Sequence, residues 1–252
     1  MKVTVCQLND DRERFEQDWI GLLAHVEAQR SDCLLLPEMP FSPWLHWTDA
    51  ASTAQWAESM QAHDRYINRL AEMGDSVVLG SRPVLDGERH NEGFIWDGSY
   101  RPAHRKVYLP DEPGFFEGTW YRPGGPEFNV AQAGELNVGY LICSELWFMQ
   151  HCLDYARQGI HILATPRATE LGSVDKWIAG GRTAAVVAGA FSLSSNRCGK
   201  ANGVEFGGAG WIIDPDGEVL GVTSAEEPFV TVEIDPAQAE AAKKSYPRYI
   251  YV

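Results

Sequence analysis

Positive charge is scarce in this sequence: 21 lysine and arginine residues face 35 aspartate and glutamate residues, which gives a net charge of −14. A nucleic-acid binder needs a basic surface to neutralise phosphates, and anionic membranes recruit lysine and arginine in the same way. No stretch approaches the roughly 18 apolar residues of a membrane span, and the short alternating start is unlike a signal peptide. We therefore expect neither nucleic acid nor a membrane as a partner.

Paired cysteines are lacking as well. The five cysteines are scattered and odd in number, at Cys6, Cys33, Cys143, Cys152 and Cys198. Such a set fits a reducing compartment better than a disulfide framework, which predicts a cytoplasmic protein. The sequence has no Cys-x-x-Cys or His-Glu-x-x-His spacing, which zinc sites favour, and no Gly-x-Ser-x-Gly elbow of a serine hydrolase. We therefore expect no metal, no cofactor and no serine nucleophile.

Apolar residues are plentiful, at 44% of 252, which is enough for one large buried core. Strand-like and helix-like runs alternate without a linker, which predicts a single layered α/β domain over residues 1–252. Residues 236–252 are predicted to form a tail that packs on a surface, because their aromatic side chains are poorly placed in water. The predicted strands are 2–8, 33–36, 76–81, 92–96, 137–142, 160–164, 191–195, 210–213, 218–220 and 229–234, and the predicted helices are 12–30, 51–73, 147–158 and 175–190.

Three reactive side chains stand where buried strands are predicted to end. Glu38 follows Leu-Leu-Leu-Pro, Lys106 lies in a His-Arg-Lys segment, and Cys143 ends a Gly-Tyr-Leu-Ile run. The ends of strands are where α/β proteins form their sites. Each residue alone has a plainer interpretation: Cys143 as a core residue, Glu38 as a helix cap and Lys106 as a surface charge.

Together, the three residues form a chemical set. A thiol is a weak nucleophile until a base removes its proton or a cation lowers its pKa. Glu38 can be that base if burial raises its pKa. The Lys106 ammonium can stabilise the oxyanion of a tetrahedral intermediate. The set predicts nucleophilic catalysis by Cys143 without a histidine.

At these positions the sequence resembles the nitrilase superfamily of carbon–nitrogen hydrolases. That family is marked by a glutamate after an apolar strand and a proline, a lysine after arginine or histidine, and a cysteine after Gly-x-x-Ile. Further segments match in the family's order over nearly the whole chain. The matching segments are 36–38, 105–106, 116–124 with the family's second glutamate at Glu117, 139–143, 195–199 and the hairpin 208–217.

The resemblance implies a four-layer α-β-β-α sandwich with internal pseudo-twofold symmetry, and assembly into homodimers or larger homo-oligomers that pair their α-faces. It also implies a covalent mechanism. Glu38 takes the thiol proton, Cys143 attacks the substrate carbon, and Lys106 with the Ser144 backbone N–H holds the oxyanion. Ammonia or an amine leaves, and water hydrolyses the thioester. Glu117 is expected to orient the substrate or to hold Lys106.

The segment after the nucleophile leaves the subclass open. Many amidases of the family have an aromatic residue and aspartate there and true nitrilases have Trp-Glu, whereas this chain has Ser144-Glu145. We predict an amidase or carbamoylase acting on a small soluble amide. A true nitrilase and a catalytically silent binding protein of the same fold are the alternatives. Ser144, Glu145, Tyr108 and Trp120 are expected among the substrate contacts, the last two in an aromatic loop.

Arg167 is the other expected substrate contact. It follows Thr-Pro at the end of the predicted strand 160–164, which should lie beside the strand of the nucleophile. A guanidinium there suits a substrate carboxylate, since its planar fork binds two oxygens at once. Alternatively, Arg167 pairs with Glu145 or Glu170 and only fixes the loop.

Overall fold

The computed structural model describes residues 1–251, with Tyr251 described by its backbone alone. Val252, the last residue of the predicted tail, lies outside the described residues. Within the described part of the chain, no helix is both long enough and apolar enough to cross a membrane.

The first half of the chain builds one mixed sheet and two long helices. Helix α1 begins at Asp11, whose carboxylate accepts a hydrogen bond of 3.1 Å from Arg14 N, and ends at Arg30 in the left-handed conformation. The elements are β1 (Lys2–Asn9), α1 (Arg12–Gln29), β2 (Cys33–Leu35), α2 (Thr53–Ile67), β3 (Val77–Asp86), β4 (Glu88–Trp96), β5 (Tyr100–Arg105), β6 (Asp111–Glu112), β7 (Phe115–Phe116) and α3 (Glu117–Trp120).

The second half builds the other mixed sheet and contributes one strand to the first. Helix α5 is rich in alanine and glycine, and its buried Ala184, Ala185 and Ala188 allow close packing on the sheet. The elements are β8 (Ala131–Ala133), β9 (Leu136–Tyr140), α4 (Gln150–Arg157), β10 (Ile162–Arg167), α5 (Val174–Ala188), β11 (Phe191–Ala201), β12 (Val204–Gly207), β13 (Trp211–Ile213), β14 (Val219–Val222), β15 (Phe229–Glu233) and α6 (Pro236–Ala242).

The two sheets follow the same plan. Three parallel strands form the centre of each sheet, β1-β2-β3 in the first and β9-β10-β11 in the second. The third strand then pairs with an antiparallel strand, β4 or β13, which pairs in turn with β5 or β14. The first strand has an antiparallel neighbour, β15 or β8. This correspondence is the predicted internal pseudo-twofold symmetry.

The sheets pack face to face, with helices outside. Tyr140 of β9 crosses between the sheets and donates its hydroxyl proton to the carbonyl of Phe94 in β4, and a side chain at Gly93 would collide with its ring. Apolar residues of both sheets form one core cluster. A second cluster lies under α1 and α2, where Trp19 packs in the same group as Leu34. The predicted α/β four-layer α-β-β-α sandwich is confirmed.

Some predicted boundaries differ from the structure. The predicted helix 51–73 ends at Ile67 and continues as a 3₁₀ turn at Leu70–Met73. The predicted tail begins with α6, which is capped by the Asp235 carboxylate. The tail is held to the domain by Arg248, which is buried and donates to the carbonyls of Val186 and Pro215 at 3.2 and 3.0 Å. Tyr246 and Tyr249 on either side of it are exposed.

Candidate active site

Glu38 is fixed by its backbone at the point where β2 leaves the centre of the first sheet. Its N–H donates to Arg167 O of the second sheet at 3.1 Å, and its carbonyl accepts from Arg197 Nε at 3.0 Å. The next residue, Met39, has a positive φ of 44°, and its N–H donates to Ser81 Oγ at 3.1 Å. Several hydrogen bonds therefore fix the conformation of this turn. In that conformation the Glu38 side chain is fully buried.

Lys106 follows β5 and is also fully buried. Its N–H donates to Asn91 O at 2.9 Å, and its ammonium lies 2.8 Å from Glu38 Oε1 and 2.5 Å from Glu117 Oε2. Burial by itself lowers the pKa of Lys106, but the charges of Glu117 and Glu38 outweigh it and hold the pKa well above its usual value. Lys106 is therefore a permanent cation between two carboxylates.

Glu117 opens helix α3 on the far side of Lys106. Its Oε2 accepts hydrogen bonds from Lys106 Nζ and from the Tyr121 hydroxyl. Burial raises the pKa of Glu117 to about 7, against the lowering effect of Lys106, and the nearby charge of Glu38 adds to the rise. Glu117 thus changes charge near neutral pH, whereas Lys106 does not.

Cys143 stands on a strained turn just after β9. Its φ is 51°, a left-handed conformation that only glycine adopts without cost, and its side chain is 5% exposed. Burial first and the Glu38 charge second raise the pKa of the thiol far above its usual range. Lys106 and the Ala168 backbone N–H act in the opposite direction without overcoming them. The resting side chain is a thiol, which needs a base before it can attack.

The arrangement supplies that base and a place for developing negative charge. Glu38 Oε1 is held by Lys106 and Asn91, each at 2.8 Å, whereas Glu38 Oε2 has no partner among residues 1–251. Glu38 lies close enough to Cys143 for its charge to raise the pKa of the thiol, which makes its carboxylate the candidate base. Lys106, already bonded to both carboxylates, is positioned to stabilise an oxyanion.

Asn91 is a site residue that the sequence did not reveal. It lies on β4, donates to Glu38 Oε1 at 2.8 Å and is 3.5 Å from the Tyr121 hydroxyl. Its backbone carbonyl also fixes Lys106. A lone asparagine within a strand carries no signal, because its role arises only when β4 lies beside the ends of β2 and β5.

Glu145 is held by hydrogen bonds within the protein. The carboxylate is fully buried, and both oxygens are occupied: Oε1 accepts from Val107 N and Oε2 from Ile142 N, each at 2.7 Å. His104 Nε2 bridges both oxygens at 3.0 and 2.9 Å. A substrate contact through this carboxylate stays a prediction, and it would have to compete with these bonds. Glu145 ties the backbone next to Lys106 to the backbone next to Cys143.

The other predicted contacts also have partners within the protein. Ser144 Oγ donates to the carbonyl of Tyr108 at 2.6 Å, and the Tyr108 hydroxyl lies 2.8 Å from His151 Nε2. The Tyr108 ring is half-buried against Phe148. Trp120 is buried, and its Nε1 donates to the carbonyl of a loop residue at 2.6 Å. The hydrogen-bonding groups of these three side chains fix the surrounding loops.

Arg167 pairs with neither Glu145 nor Glu170 among the described residues, so that alternative is wrong, whereas the contact with a substrate stays a prediction. The guanidinium is fully buried and donates to Ser194 Oγ at 2.7 Å, to Thr169 Oγ1 at 2.8 Å and to Ala209 O at 2.8 Å. Burial lowers its pKa to about 9, while Cys143 acts to raise it. Each of the three guanidinium nitrogens donates to a neutral acceptor within the protein, so a substrate carboxylate would have to compete with these bonds.

The ring of Trp211 explains how this cation is tolerated. The Arg167 guanidinium carbon lies 4.1 Å from the Trp211 ring centroid and 5.7 Å from that of Trp177 in α5.

Across the described residues, no group of three or more His, Cys, Asp or Glu side chains could hold a metal ion.

Comparison with known proteins agrees with the sequence resemblance. The family model "Carbon-nitrogen hydrolase" matches residues 2–244. The chain is 25% identical over 248 residues to a glutamine-dependent NAD(+) synthetase of Thermotoga maritima, covering 93% of this chain and 42% of that protein. It is 30% identical over 187 residues to N-carbamoylputrescine amidase of Solanum tuberosum, covering 67% of this chain and 62% of the relative. It thus spans less than two thirds of either relative.

A solved structure shows the same fold. A carbon–nitrogen hydrolase from Helicobacter pylori G27 superposes with a TM-score of 0.86 at 20% identity, over 99% of this chain and 94% of that one. At that identity the likeness establishes the architecture alone.

Proposed function

The chain belongs to the carbon–nitrogen hydrolase family, and we propose that it hydrolyses a small linear amide through a thioester on Cys143. The observation that carries the proposal is the buried set Glu38–Lys106–Glu117 beside a thiol on a strained turn. The names of the relatives, a carbamoyl amidase and a glutamine-dependent synthetase, support an amide or carbamoyl substrate.

The steps follow from the charges of the site. The free Oε2 of Glu38 takes the thiol proton as Cys143 attacks the amide carbon, and the carbonyl oxygen becomes an oxyanion near Lys106 and the Ser144 N–H. The carbon–nitrogen bond then breaks, and Glu38 returns the proton to the leaving ammonia or amine. Water, deprotonated by Glu38, adds to the thioester carbon and releases the acid and the thiol.

Glu117 holds the cation of this reaction. Because Lys106 is bonded to Glu38 and Glu117 together, its position relative to Cys143 is set by both carboxylates. Glu117 and Tyr121 are therefore proposed as positioning residues.

All five cysteines are free thiols, which supports a reducing compartment such as the cytoplasm for the reaction.

A screen of linear amides, carbamoyl compounds and nitriles tests the proposal, with ammonia and the carbon product both measured. We expect acid plus ammonia from amides or carbamoyl compounds and no conversion of nitriles. Conversion of nitriles at comparable kcat/KM would favour the nitrilase alternative. A protein that binds these compounds and converts none of them would favour the silent alternative.

A further inference from the structure

Glu145 is a buried carboxylate that the proposed mechanism does not use, although it lies two residues after the nucleophile. Its Oε2 accepts from Ile142 N and its Oε1 accepts from Val107 N, each at 2.7 Å. Ile142 directly precedes Cys143, and Val107 directly follows Lys106. One side chain therefore joins the backbone beside the nucleophile to the backbone beside the cation.

These two pieces of backbone belong to different sheets. Lys106 follows β5 of the first sheet, whereas Cys143 follows β9 of the second. Strand β5 pairs with β4, and β9 pairs with β8 and β10. The distance between the ammonium and the thiol therefore depends on contacts across the interface of the sheets, and strand pairing within either sheet does not fix it.

His104 orients the Glu145 carboxylate from the side of the first sheet. It lies on β5 and is 7% exposed, and its Nε2 is 3.0 and 2.9 Å from the two carboxylate oxygens. Because an ionised carboxylate only accepts, the imidazole nitrogen is the donor. A carboxylate that accepts from two backbone N–H groups and one imidazole N–H has little freedom to turn.

The conformation of Cys143 explains why such a connection is needed. Its φ of 51° is a strained value for a residue with a side chain, and it persists only where the surroundings hold it. The Glu145 carboxylate holds the residue before Cys143, and the residue after it, Ser144, donates from its Oγ to Tyr108 O at 2.6 Å. Both connections lead to the segment directly after Lys106.

We propose that Glu145, oriented by His104, is a positioning residue that sets the distance between the Lys106 ammonium and the Cys143 thiol. The proposal rests on the proposed function, because the thioester mechanism needs that cation where the oxyanion forms as Cys143 attacks. A misplacement of about 1 Å can cost roughly a hundredfold in rate. Loss of the connection should therefore lower kcat and leave KM nearly unchanged, which separates this role from a substrate contact through the same carboxylate.

Glu145→Gln tests this role with little change in shape. The amide keeps one acceptor oxygen but presents its NH₂ group to the second backbone N–H, so one of the two connections is lost. On the linear amide that the wild type converts best, we expect kcat to fall about tenfold to a hundredfold, with KM within about twofold of the wild-type value. A rise in KM at unchanged kcat would overturn the proposal and assign a substrate contact.

Glu92→Gln is the matched control. Glu92 is 6% exposed and accepts from the Tyr100 hydroxyl at 2.5 Å and from Arg105 Nε at 2.9 Å, but both partners lie on β5, next to its own strand β4 in the same sheet. This variant should lower the unfolding temperature, as Glu145→Gln does, and keep the kcat of the wild type. Equal losses of kcat from both variants would contradict a specific role for Glu145.

Two replacements of His104 provide a second test, which also serves if Glu145→Gln does not fold. His104→Gln keeps an N–H donor for the carboxylate, whereas His104→Leu removes it. We expect kcat of His104→Gln to exceed that of His104→Leu several-fold, on the order of fivefold, with KM unchanged in both. The same kcat for the two proteins would show that the hydrogen bond to Glu145 is not what His104 contributes, and would overturn the proposal.

Alkylation of Cys143 by iodoacetamide keeps this test separate from amide turnover. Its rate is followed by the mass of the peptide that contains Cys143, so the other thiols do not interfere. If the wild type converts no amide, the proposed function fails, and this rate still reports on the cation beside the thiol.

We expect the alkylation rate to fall about tenfold in Glu145→Gln, because a more distant Lys106 stabilises the thiolate less. The rate in Glu92→Gln should equal that of the wild type. A folded Glu145→Gln protein whose Cys143 is alkylated as fast as in the wild type, or whose kcat is unchanged, would overturn the proposal.

Discussion

The Lys106 ammonium lies 2.8 Å from Glu38 Oε1, and neither side chain has any exposed surface. Replacing Lys106 with Met should leave Glu38 and Glu117 buried together without a counter-ion. We expect activity to fall on the order of 10²–10³ or more through the lost oxyanion contact. We also expect a loss of about 3–5 kcal/mol in unfolding free energy.

The neighbouring arginine provides the control for this experiment. Arg105 pairs with Glu92 and Asp86, each at 2.9 Å, but its side chain is 35% exposed. Arg105→Met should cost less than Lys106→Met, because Asp86 is 71% exposed and Glu92 keeps the hydrogen bond from the Tyr100 hydroxyl. Denaturant unfolding of the Lys106→Met and Arg105→Met proteins measures the two losses in unfolding free energy. Equal, small losses from both would mean that the buried cation is not structurally required.

The pH dependence of stability should report on Glu117. Burial raises its pKa from 4.5 to about 7 in the folded protein. The contribution of this carboxyl to the free energy of unfolding is therefore fully present below pH 4.5, and it is lost as the pH rises through 7. The Glu117→Gln variant cannot ionise there and should gain stability relative to the wild type over that interval. Unfolding measured at several pH values tests this. If the free energies of unfolding of the two proteins changed with pH in parallel, the raised pKa of Glu117 would be contradicted.

Arg167 should not discriminate between charged and neutral substrates. Its three donor nitrogens are bonded to Ser194, Thr169 and Ala209, so Arg167→Met should alter kcat/KM for a carboxylate-bearing amide and for its neutral ester by the same factor. Steady-state kinetics on the pair provides the measurement. A rise in KM confined to the acid would restore the carboxylate-binding role.

Two exposed apolar side chains lie beside helix α5 and mark the face by which we expect two copies of the chain to pair. Trp147 is 46% exposed and Leu171 53% exposed, and the Trp147 ring lies 4.8 Å from that of Trp177 on α5. We propose that this face pairs two copies of the chain. Sedimentation should show a dimer at micromolar concentration, which Trp147→Glu dissociates. The control Trp47→Glu, 41% exposed elsewhere, should stay dimeric; a monomeric wild type would refute the proposal.

The sequence predicted that Glu38, Lys106 and Cys143 come together, because each lies in a local pattern. Glu38 and Cys143 follow apolar runs that form central strands, and Lys106 follows an edge strand of the same sheet as Glu38. The parallel plan of the sheets then brings the ends of these strands together. Local sequence patterns and the strand order were sufficient to predict that these three side chains lie near one another.

Other parts of the site depend on which way side chains point after folding. Arg167 ends β10 with its side chain toward α5 and Trp211, away from Glu145, and sequence proximity could not reveal that direction. Asn91 gains its bond to Glu38 from a strand distant in the chain. No local pattern marks such residues, because the contacts are tertiary.

Ammonia release from the amide set by wild type, Cys143→Ala and Cys198→Ala tests the central claim most directly. Cys198 is another free, partly buried cysteine far along the chain, so its replacement controls for loss of a thiol. We predict that the wild type and Cys198→Ala release ammonia, whereas folded Cys143→Ala releases none above the blank. Release by Cys143→Ala at a rate comparable to that of the wild type would contradict a thioester on Cys143.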